Sequence, residues 1–252
     1  MYKNTLRDYH VHSLHSIDSQ STISTICQKA IELEIKEIGF ADHIDFDPND
    51  SGYNFFDYNA YTLAINNARS IYGKKLIIRK GIEVDYQYCF ENKLKKWIQD
   101  KNFDFIIGSV HHIHHEHIYQ LTKKRSIETV IKHYINEVLY SIRSKLFDII
   151  GHFALDYILY LGEKKREDSN FIYQAHTVFQ EMIANNLYLE INTKYLRSVY
   201  KKSLPSSWLI NLYVENGGYL FSVGSDAHFV EEVGTGIREV LNHLACFNPI
   251  IY

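Results

Sequence analysis

Histidines and carboxylates stand at the carboxyl ends of nearly all the strands that the sequence predicts. The strand candidates include short apolar or β-branched runs, which are typical of parallel strands buried on both faces. Six of these runs end in residue types that bind metals, in the segments 8–12, 41–43, 81–83, 108–111, 151–152 and 224–228. A closed parallel β/α barrel gathers its strand ends at one mouth, so these residues are expected to share one site. Imidazole and carboxylate together suit zinc, iron or manganese.

Strand-like and helix-like segments alternate along the chain, which predicts an α/β fold with a parallel sheet. The predicted strands are 6–11, 37–41, 76–83, 103–110, 146–151, 187–191 and 219–223. The predicted helices are 21–35, 57–72, 91–101, 126–145, 169–186, 205–216 and 231–245. An open doubly wound sheet would place its site at one switch point, whereas these ligand types follow most of the strands. We therefore predict a (β/α)7 barrel, a TIM barrel short by one unit.

Length and charge narrow the class of protein further. The 252 residues suit one domain, 1–252, and the net charge of −3 argues against a nucleic-acid-binding surface. No apolar run approaches the ~20 residues that span a membrane, and the N-terminus lacks the apolar stretch of a signal peptide. The three cysteines lie far apart, which fits reduced thiols. We expect a cytoplasmic protein that binds neither nucleic acid nor membranes, and no pattern indicates an oligomeric state.

Two residue pairs make the predicted metal site specific. His10 and His12 lie two apart on a strand, so their side chains point to the same face. Asp226 and His228 repeat this spacing on the last strand. The first and last strands of a closed barrel are neighbours, so the two pairs should converge. A single H-x-H would be weak evidence, and the convergence is what favours a metal site.

The other strand ends supply further candidate ligands. Glu83 follows a glycine, and because a carboxylate can bridge two metals it indicates a polynuclear site. The remaining candidates are Asp18, His43, His111 and His152. A lone histidine at a strand end is more often structural, but nine such residues at one mouth favour metal binding.

The segment 111–117, HHIHHEH, is the densest histidine run in the chain. Only its first residue falls at a predicted strand end, so the others are interpreted as exposed or supporting side chains. His117 is nevertheless a candidate substrate contact. Residues 43–58 form a long loop at the same end of the barrel, and this loop is either a lid or wall of the site or a plain connection.

Taken in order, these motifs resemble the signature of the PHP (polymerase and histidinol phosphatase) family. The motifs are D-x-H-x-H-S, D-H, G-I-E, G-S-V-H-H, G-H-F, E-I-N-T and G-S-D-A-H. The resemblance covers nearly the whole chain and is closest to the histidinol-phosphate phosphatases of that family. It implies a distorted TIM-like (β/α)7 barrel, a single PHP-type metallophosphoesterase domain, with a trinuclear metal centre.

The resemblance also implies a distribution of ligands over three divalent metal ions, for which zinc, iron and manganese are all suitable. One metal would be held by His10, His12, Glu83 and Asp226. A second would share Glu83 and add His111 and His152. A third would be held by Asp18, His43 and His228.

The implied reaction is hydrolysis of a small-molecule phosphate ester, with L-histidinol phosphate of histidine biosynthesis as the expected substrate. The family stretch E-I-N-T-x-x-L-R implies that Arg197 contacts the phosphate, whose oxygens a guanidinium can hold bidentately. The leaving alkoxide needs a proton, which Asp226, His43 or a water could supply.

One segment departs from the family pattern. After G-H-F the phosphatases typically continue D-L-I and then a basic residue, whereas residues 154–160 read ALDYILY. The basic pair is missing unless Lys164, Lys165 or Arg166 replaces it. Other substrates therefore stay open, namely a nucleotide, a sugar phosphate or a phosphotyrosyl peptide. A second alternative is an amidohydrolase, but that class needs eight strands. A third alternative is a non-catalytic metal-binding module.

Overall fold

The computed structural model describes residues 5–164, 169–247 and 249–252. Its strands are β1 (Arg7–Val11), β2 (Glu37–Phe40), β3 (His43–Ile44), β4 (Ile77–Asp85), β5 (Phe105–Ser109), β6 (His112–Ile113), β7 (Glu116–His117), β8 (Ile149–Ile150), β9 (Tyr188–Asn192), β10 (Leu220–Gly224) and β11 (Ile250–Ile251). Its α-helices are α1 (Ile23–Glu32), α2 (Tyr58–Tyr72), α3 (Glu91–Ile98), α4 (Ile118–Lys124), α5 (Ile127–Ser144), α6 (Leu155–Leu161), α7 (Ser169–Ala184), α8 (Ser207–Glu215) and α9 (Ile237–Leu244).

A parallel sheet curls around the centre of the molecule. Its main strands follow one another in the order β1, β2, β4, β5, β8, β9 and β10. The first strand meets the segment after the last one, where the amide of His12 donates to the carbonyl of Ala227 at 2.9 Å. The amide of Asp226 likewise donates to the carbonyl of His10 at 2.7 Å. These strands match the predicted ones and confirm the α/β class and the distorted TIM-like (β/α)7 barrel.

Aromatic side chains fill the barrel at the end where its strands begin. Phe105 starts β5 and packs edge-on against Tyr9, with ring centroids 5.4 Å apart. Gly81 on the adjoining strand makes room for this ring, since a Cβ there would lie 2.2 Å from it. Tyr252 directly follows strand β11 and packs against Tyr9. Strand β11 pairs with β10 and was not predicted. This end is therefore packed, and the opposite mouth is left for a site.

The helices cover the outside of the sheet through amphipathic faces. In α5 the Ser126 hydroxyl caps the first turn by accepting from the amide of Thr129, and Lys145 ends the helix with a φ of 59°. Its apolar residues recur at helical spacing and are buried against the core. Among the described residues, no helix has both the length and the apolar character needed to cross a membrane.

Several short elements differ from the prediction. Helices α4 and α6 and the hairpin of β6 and β7 were not predicted, because each spans too few residues to show a period. The predicted helix 231–245 begins only at Ile237. Gly234 and Gly236 have φ angles of +73° and +77°, so the chain turns there before the helix starts.

Candidate metal centre

Glu83, near the end of β4, lies among histidines from four other segments. Its Oε2 is 3.2 Å from Nε2 of His10 and 3.6 Å from Nε2 of His12, both on or directly after β1. His12 Nε2 also lies 3.4 Å from Oδ1 of Asp226, which follows β10. The structure thus brings together the four residues assigned to the first metal, with their donor atoms facing one another.

The second oxygen of Glu83 faces another pair of histidines. Its Oε1 lies 2.9 Å from Nε2 of His152 and 3.6 Å from Nε2 of His111. The two imidazole nitrogens are 3.1 Å apart. These three donor atoms form a compact group that could hold one ion, and Glu83 joins it to the first group.

The third predicted group lies beside His12, whose ring stacks against those of His43 and His228. Asp18 Oδ2 is 3.0 Å from Nε2 of His228 and 3.6 Å from Nε2 of His43. His12, His43 and His228 also bring ring nitrogens within 4.8 Å of one another. His43 therefore lies between Asp18 and Glu83, whose Oε2 is 3.0 Å from its Nδ1.

Two buried nitrogen atoms test whether this cluster fits metal ions. Nε2 of His10 and Nε2 of His12 are inaccessible to solvent and have no hydrogen-bond partner among the described residues. A buried polar atom without a partner is costly and calls for an explanation. Both atoms point at the carboxylates of the cluster, so a cation held between them would satisfy both. The donor set fits zinc, iron or manganese.

Residues behind the ligands fix the orientation of the imidazoles. The Nδ1 atom of His10 lies 2.5 Å from Oε1 of Glu190, whose other oxygen accepts from the amide of His152 at 2.6 Å. Nδ1 of His12 lies 3.1 Å from the Ser16 hydroxyl. Glu190 received no role from the sequence, although it belongs to the E-I-N-T stretch and its alternation along β9 points it inward. Such partners typically hold metal-binding histidines in place.

Asp8 of the D-x-H motif and Asp42 of the D-H motif hold the backbone of neighbouring ligand-bearing segments in place. Asp42 accepts from the amide and hydroxyl of Ser13 at 2.6 and 2.8 Å. Asp8 accepts from the amide and hydroxyl of Ser225 at 2.8 and 2.6 Å. Both carboxylates are fully buried, and each ties together the segments that carry the ligands.

The surroundings of the cluster shift the pKa values of its histidines in opposite directions. Burial lowers the pKa of His111 to about 3, which leaves its imidazole neutral, the form that binds a metal. Burial also opposes the charged form of His43, but the neighbouring Glu83 raises the pKa of His43 to about 9. Burial would raise the pKa of Glu83, yet the imidazoles of His10 and His43 hold it well below its usual range. Protons thus balance the carboxylates in the metal-free state, and metal ions would replace them.

A cavity of about 330 Å³ opens over the cluster. Its floor includes several of the candidate ligands, and Tyr119, Tyr157, Tyr195 and His117 stand on its wall. His117, the predicted substrate contact, caps α4 by accepting from the amide of Tyr119. Among the described residues that line the cavity, Lys194 is the only one with a lysine or arginine side chain.

The long loop of residues 45–57 forms another wall of this cavity through Asp45, Asp50 and Ser51. Two histidines of the β6–β7 hairpin hold the loop. His115 Nδ1 lies 2.6 Å from Asp47 Oδ2, and His112 Nε2 lies 3.5 Å from Asp50 Oδ2. The histidine run therefore supports a wall of the site.

Arg197, predicted to contact phosphate, is engaged elsewhere. Its Nη1 and Nη2 donate to the carbonyls of Ser225 and Asp226 at 2.9 and 3.3 Å, and its Nε lies 3.4 Å from Glu232. It is absent from the residues that line the cavity. In this structure Arg197 holds the segment that carries Asp226.

The segment that lacks the basic pair lies at the cavity with neutral side chains, those of Ala154 and Tyr157. Lys164 pairs with Glu128 at 3.2 Å on α5. Lys165 and Arg166, the other two possible replacements, lie outside the described residues. The described lysine at the cavity is Lys194, whose Nζ lies 3.1 Å from Asp226 Oδ1. Sequence reasoning missed this lysine, although it directly follows E-I-N-T.

Comparisons with known proteins point to one family. The family model for the PHP domain matches residues 8–194. A probable histidinol-phosphatase of Thermotoga maritima is 24% identical and aligns over 96% of this chain and 92% of its own length. The histidinol-phosphatase of Lactococcus lactis is 27% identical, with 89% and 84% covered.

Two solved structures share the fold. The Lactococcus lactis histidinol phosphate phosphatase, crystallised with zinc, L-histidinol and phosphate, gives a TM-score of 0.85 at 22% identity over 98% of this chain and 95% of that one. A putative histidinol phosphatase of Listeria monocytogenes gives 0.80 at 20% identity, with 91% and 98% covered. With the family model matching most of its length, the chain belongs to the PHP domain family.

Proposed function

We propose that this protein is a metal-dependent phosphomonoesterase that hydrolyses L-histidinol phosphate to L-histidinol and phosphate. The main support is the convergence of nine candidate ligand side chains, with the carboxylate of Glu83 shared between two of their groups. The names of its relatives point to the same substrate, and so does the L-histidinol bound in the Lactococcus lactis structure. The proposal assigns residues 1–252 to one metallophosphoesterase domain.

The proposed cofactors are three divalent ions drawn from zinc, iron and manganese. The first would be held by His10, His12, Glu83 and Asp226, the second by Glu83, His111 and His152, and the third by Asp18, His43 and His228. Bound metals of this kind acidify a water molecule and offset the charge of the phosphate oxygens. The protein would contribute the fixed geometry of the ligands.

The proton for the leaving alkoxide is assigned to Asp226 or to a water of the cavity, two of the sources named from the sequence. Lys194 is not the donor: burial opposes its charged form, but Asp226, 3.1 Å from its Nζ, raises the pKa of Lys194, so the ammonium keeps its proton. Both ring nitrogens of the other candidate, His43, already face carboxylates, at 3.0 Å from Glu83 and 3.6 Å from Asp18. His43 is therefore better placed to fix the cluster than to move a proton.

The cavity wall suits the alcohol half of L-histidinol phosphate. Tyr157 and Tyr195 lie with ring centroids 4.7 Å apart and offer aromatic faces to an imidazole. Asp45 and Asp50 on the loop wall offer carboxylates to an ammonium group. A ring together with a cationic amine is what distinguishes histidinol from the alcohol of a sugar phosphate.

The test is phosphate release by protein loaded with zinc, manganese or iron. L-Histidinol phosphate is compared with a nucleotide, a sugar phosphate and a phosphotyrosyl peptide, and Asp226→Asn serves as the inactive control. Preference for L-histidinol phosphate by at least tenfold in kcat/KM is expected. Better turnover of another ester would replace the substrate and keep the reaction, and full metal occupancy without any turnover would favour the non-catalytic module.

A further inference from the structure

A phosphate ester must enter a cavity whose lining carries several acids. Five carboxylates line it, namely Asp18, Asp45, Asp50, Glu83 and Asp226. Metal ions would neutralise those on the floor, but Asp45 and Asp50 lie on the loop wall outside the ligand set. A lysine or arginine at this mouth would favour a dianionic phosphate, and none of the described residues in the segment after G-H-F brings one to the cavity.

Lys194 is placed to be that cation. It begins the 3-10 turn Lys194–Leu196 directly after β9, and Asn192 Oδ1 holds the turn by accepting the Lys194 amide at 3.0 Å. Its ammonium lies beside Asp226 Oδ1, and its side chain is 43% exposed, so an incoming anion can reach it. The ammonium has three donors, and the one known partner leaves two for a ligand.

Two other cations that the structure describes, Arg197 and Lys164, are already engaged. The guanidinium of Arg197 contacts Ser225, Asp226 and Glu232, and breaking these contacts would release the segment that carries two candidate ligands. Lys164 pairs with Glu128 on the outside of the barrel. Neither side chain lines the cavity.

We propose that Lys194 binds the phosphate of the substrate and replaces the basic pair that is missing after G-H-F. Its ammonium donates to a peripheral phosphate oxygen while keeping its contact with Asp226, so the phosphate is held beside the metal ligands. This inference rests on the proposed function in one respect, that the ligand of this cavity is a phosphate ester.

The experiment measures the binding of inorganic phosphate to the metal-loaded protein by calorimetry, with metal content determined in parallel. The variants are Lys194→Met, which removes the charge, and Lys194→Arg, which keeps it. Lys202→Met, an exposed lysine of the same segment outside the cavity, is the matched control. A charge-assisted hydrogen bond to phosphate predicts that Lys194→Met weakens binding at least ~10-fold. Lys194→Arg is expected to stay within ~3-fold of the native protein at full metal content.

An unchanged phosphate Kd in Lys194→Met would overturn the inference. Loss of metal in that variant, with phosphate binding restored on metal saturation, would also overturn it, because Lys194 would then only support Asp226. The measurement does not depend on which ester is hydrolysed. If L-histidinol phosphate proves to be a poor substrate while phosphate binding still requires Lys194, the proposed function fails and this inference stands.

Discussion

At the scale of single residues, Glu83 connects the parts of the centre. It is 1% exposed, and both of its oxygens face imidazoles from four different segments. A buried carboxylate keeps its charge only where cations or donors surround it. The histidines around Glu83 meet this condition in the metal-free protein, and metal ions would meet it in the loaded one.

Replacing Glu83 with glutamine is expected to weaken metal binding at the candidate centre. The amide keeps the shape but removes the charge that two ligand groups share, so metal affinity should fall by at least ~100-fold and phosphate release with it. Metal content per protein and activity are the measurements. Glu116→Gln, which alters only an exposed pair with Lys124, is the control. Full metal content in Glu83→Gln would refute the bridging assignment.

Asp156, a buried acid outside the candidate metal ligands, predicts that the stability of the fold depends on pH. Burial raises the pKa of Asp156 from its ordinary 3.8 to about 6, although its Oδ2 accepts from the Ser206 amide at 2.7 Å. Because the folded pKa is the higher one, the protonated carboxyl stabilises the fold below about pH 4. That contribution is lost as the pH rises through about 6.

Asp156→Asn should therefore stabilise the protein at pH 8 by on the order of 2 kcal/mol and change little near pH 4. Urea unfolding of metal-free protein across this range measures the difference between the two chains. A difference that does not vary with pH would mean that the carboxyl is ionised in the folded state throughout.

At the scale of elements, strand ends carry the ligands and neighbouring segments hold them in position. The segment after β10 bears Asp226 and His228, and it is fixed by Asp8 from β1 and by Arg197 from the turn after β9. Asp226 itself has a φ of 51°, so its backbone needs this support.

Arg197→Gln is expected to destabilise the fold by about 1–3 kcal/mol, because two carbonyls lose charged donors. It should also weaken metal binding while leaving the phosphate Kd of fully loaded protein unchanged. Arg238→Gln on the exposed face of α9 is the control for charge alone. If this variant kept normal stability and metal content but bound phosphate more weakly, the predicted contact between Arg197 and the phosphate would be supported instead.

At the scale of the whole molecule, the candidate metal ligands come from six places around the barrel. They lie on or after β1, at β3, in β4, and after β5, β8 and β10, with Asp18 in the loop that follows β1. Metal ions bound here would link segments far apart in the chain. Their binding energy would therefore contribute to the stability of the barrel.

Chelation of the metals is expected to lower Tm by roughly 5–10 °C, because ligands that bind only the folded state stabilise it by about 3 kcal/mol at a hundred times Kd. Calorimetry before chelation, after chelation and after return of zinc would measure this shift. A Tm that does not respond would show that the centre contributes nothing to the barrel.

The prediction from sequence succeeded where the physics is local. Buried runs such as 105–109 have a clear apolar pattern, and the H-x-H spacing alone places His10 and His12 on one face of a strand. Short elements escaped prediction, since β11 and the hairpin strands have two residues each and show no period. Glu190 escaped because its partners lie 180 and 38 residues away in sequence.

The sequence by itself determined the order of strands, the fold class and the residue types at each strand end, because these depend on periodicity and on the rule that parallel strands end together. Only the tertiary structure showed that Lys194, and not Arg197, lines the cavity. The two cations lie three residues apart in one turn, yet Arg197 contacts carbonyls of the next segment while Lys194 lines the cavity. Which of them can meet a ligand depends on contacts between segments distant in sequence, which no local pattern contains.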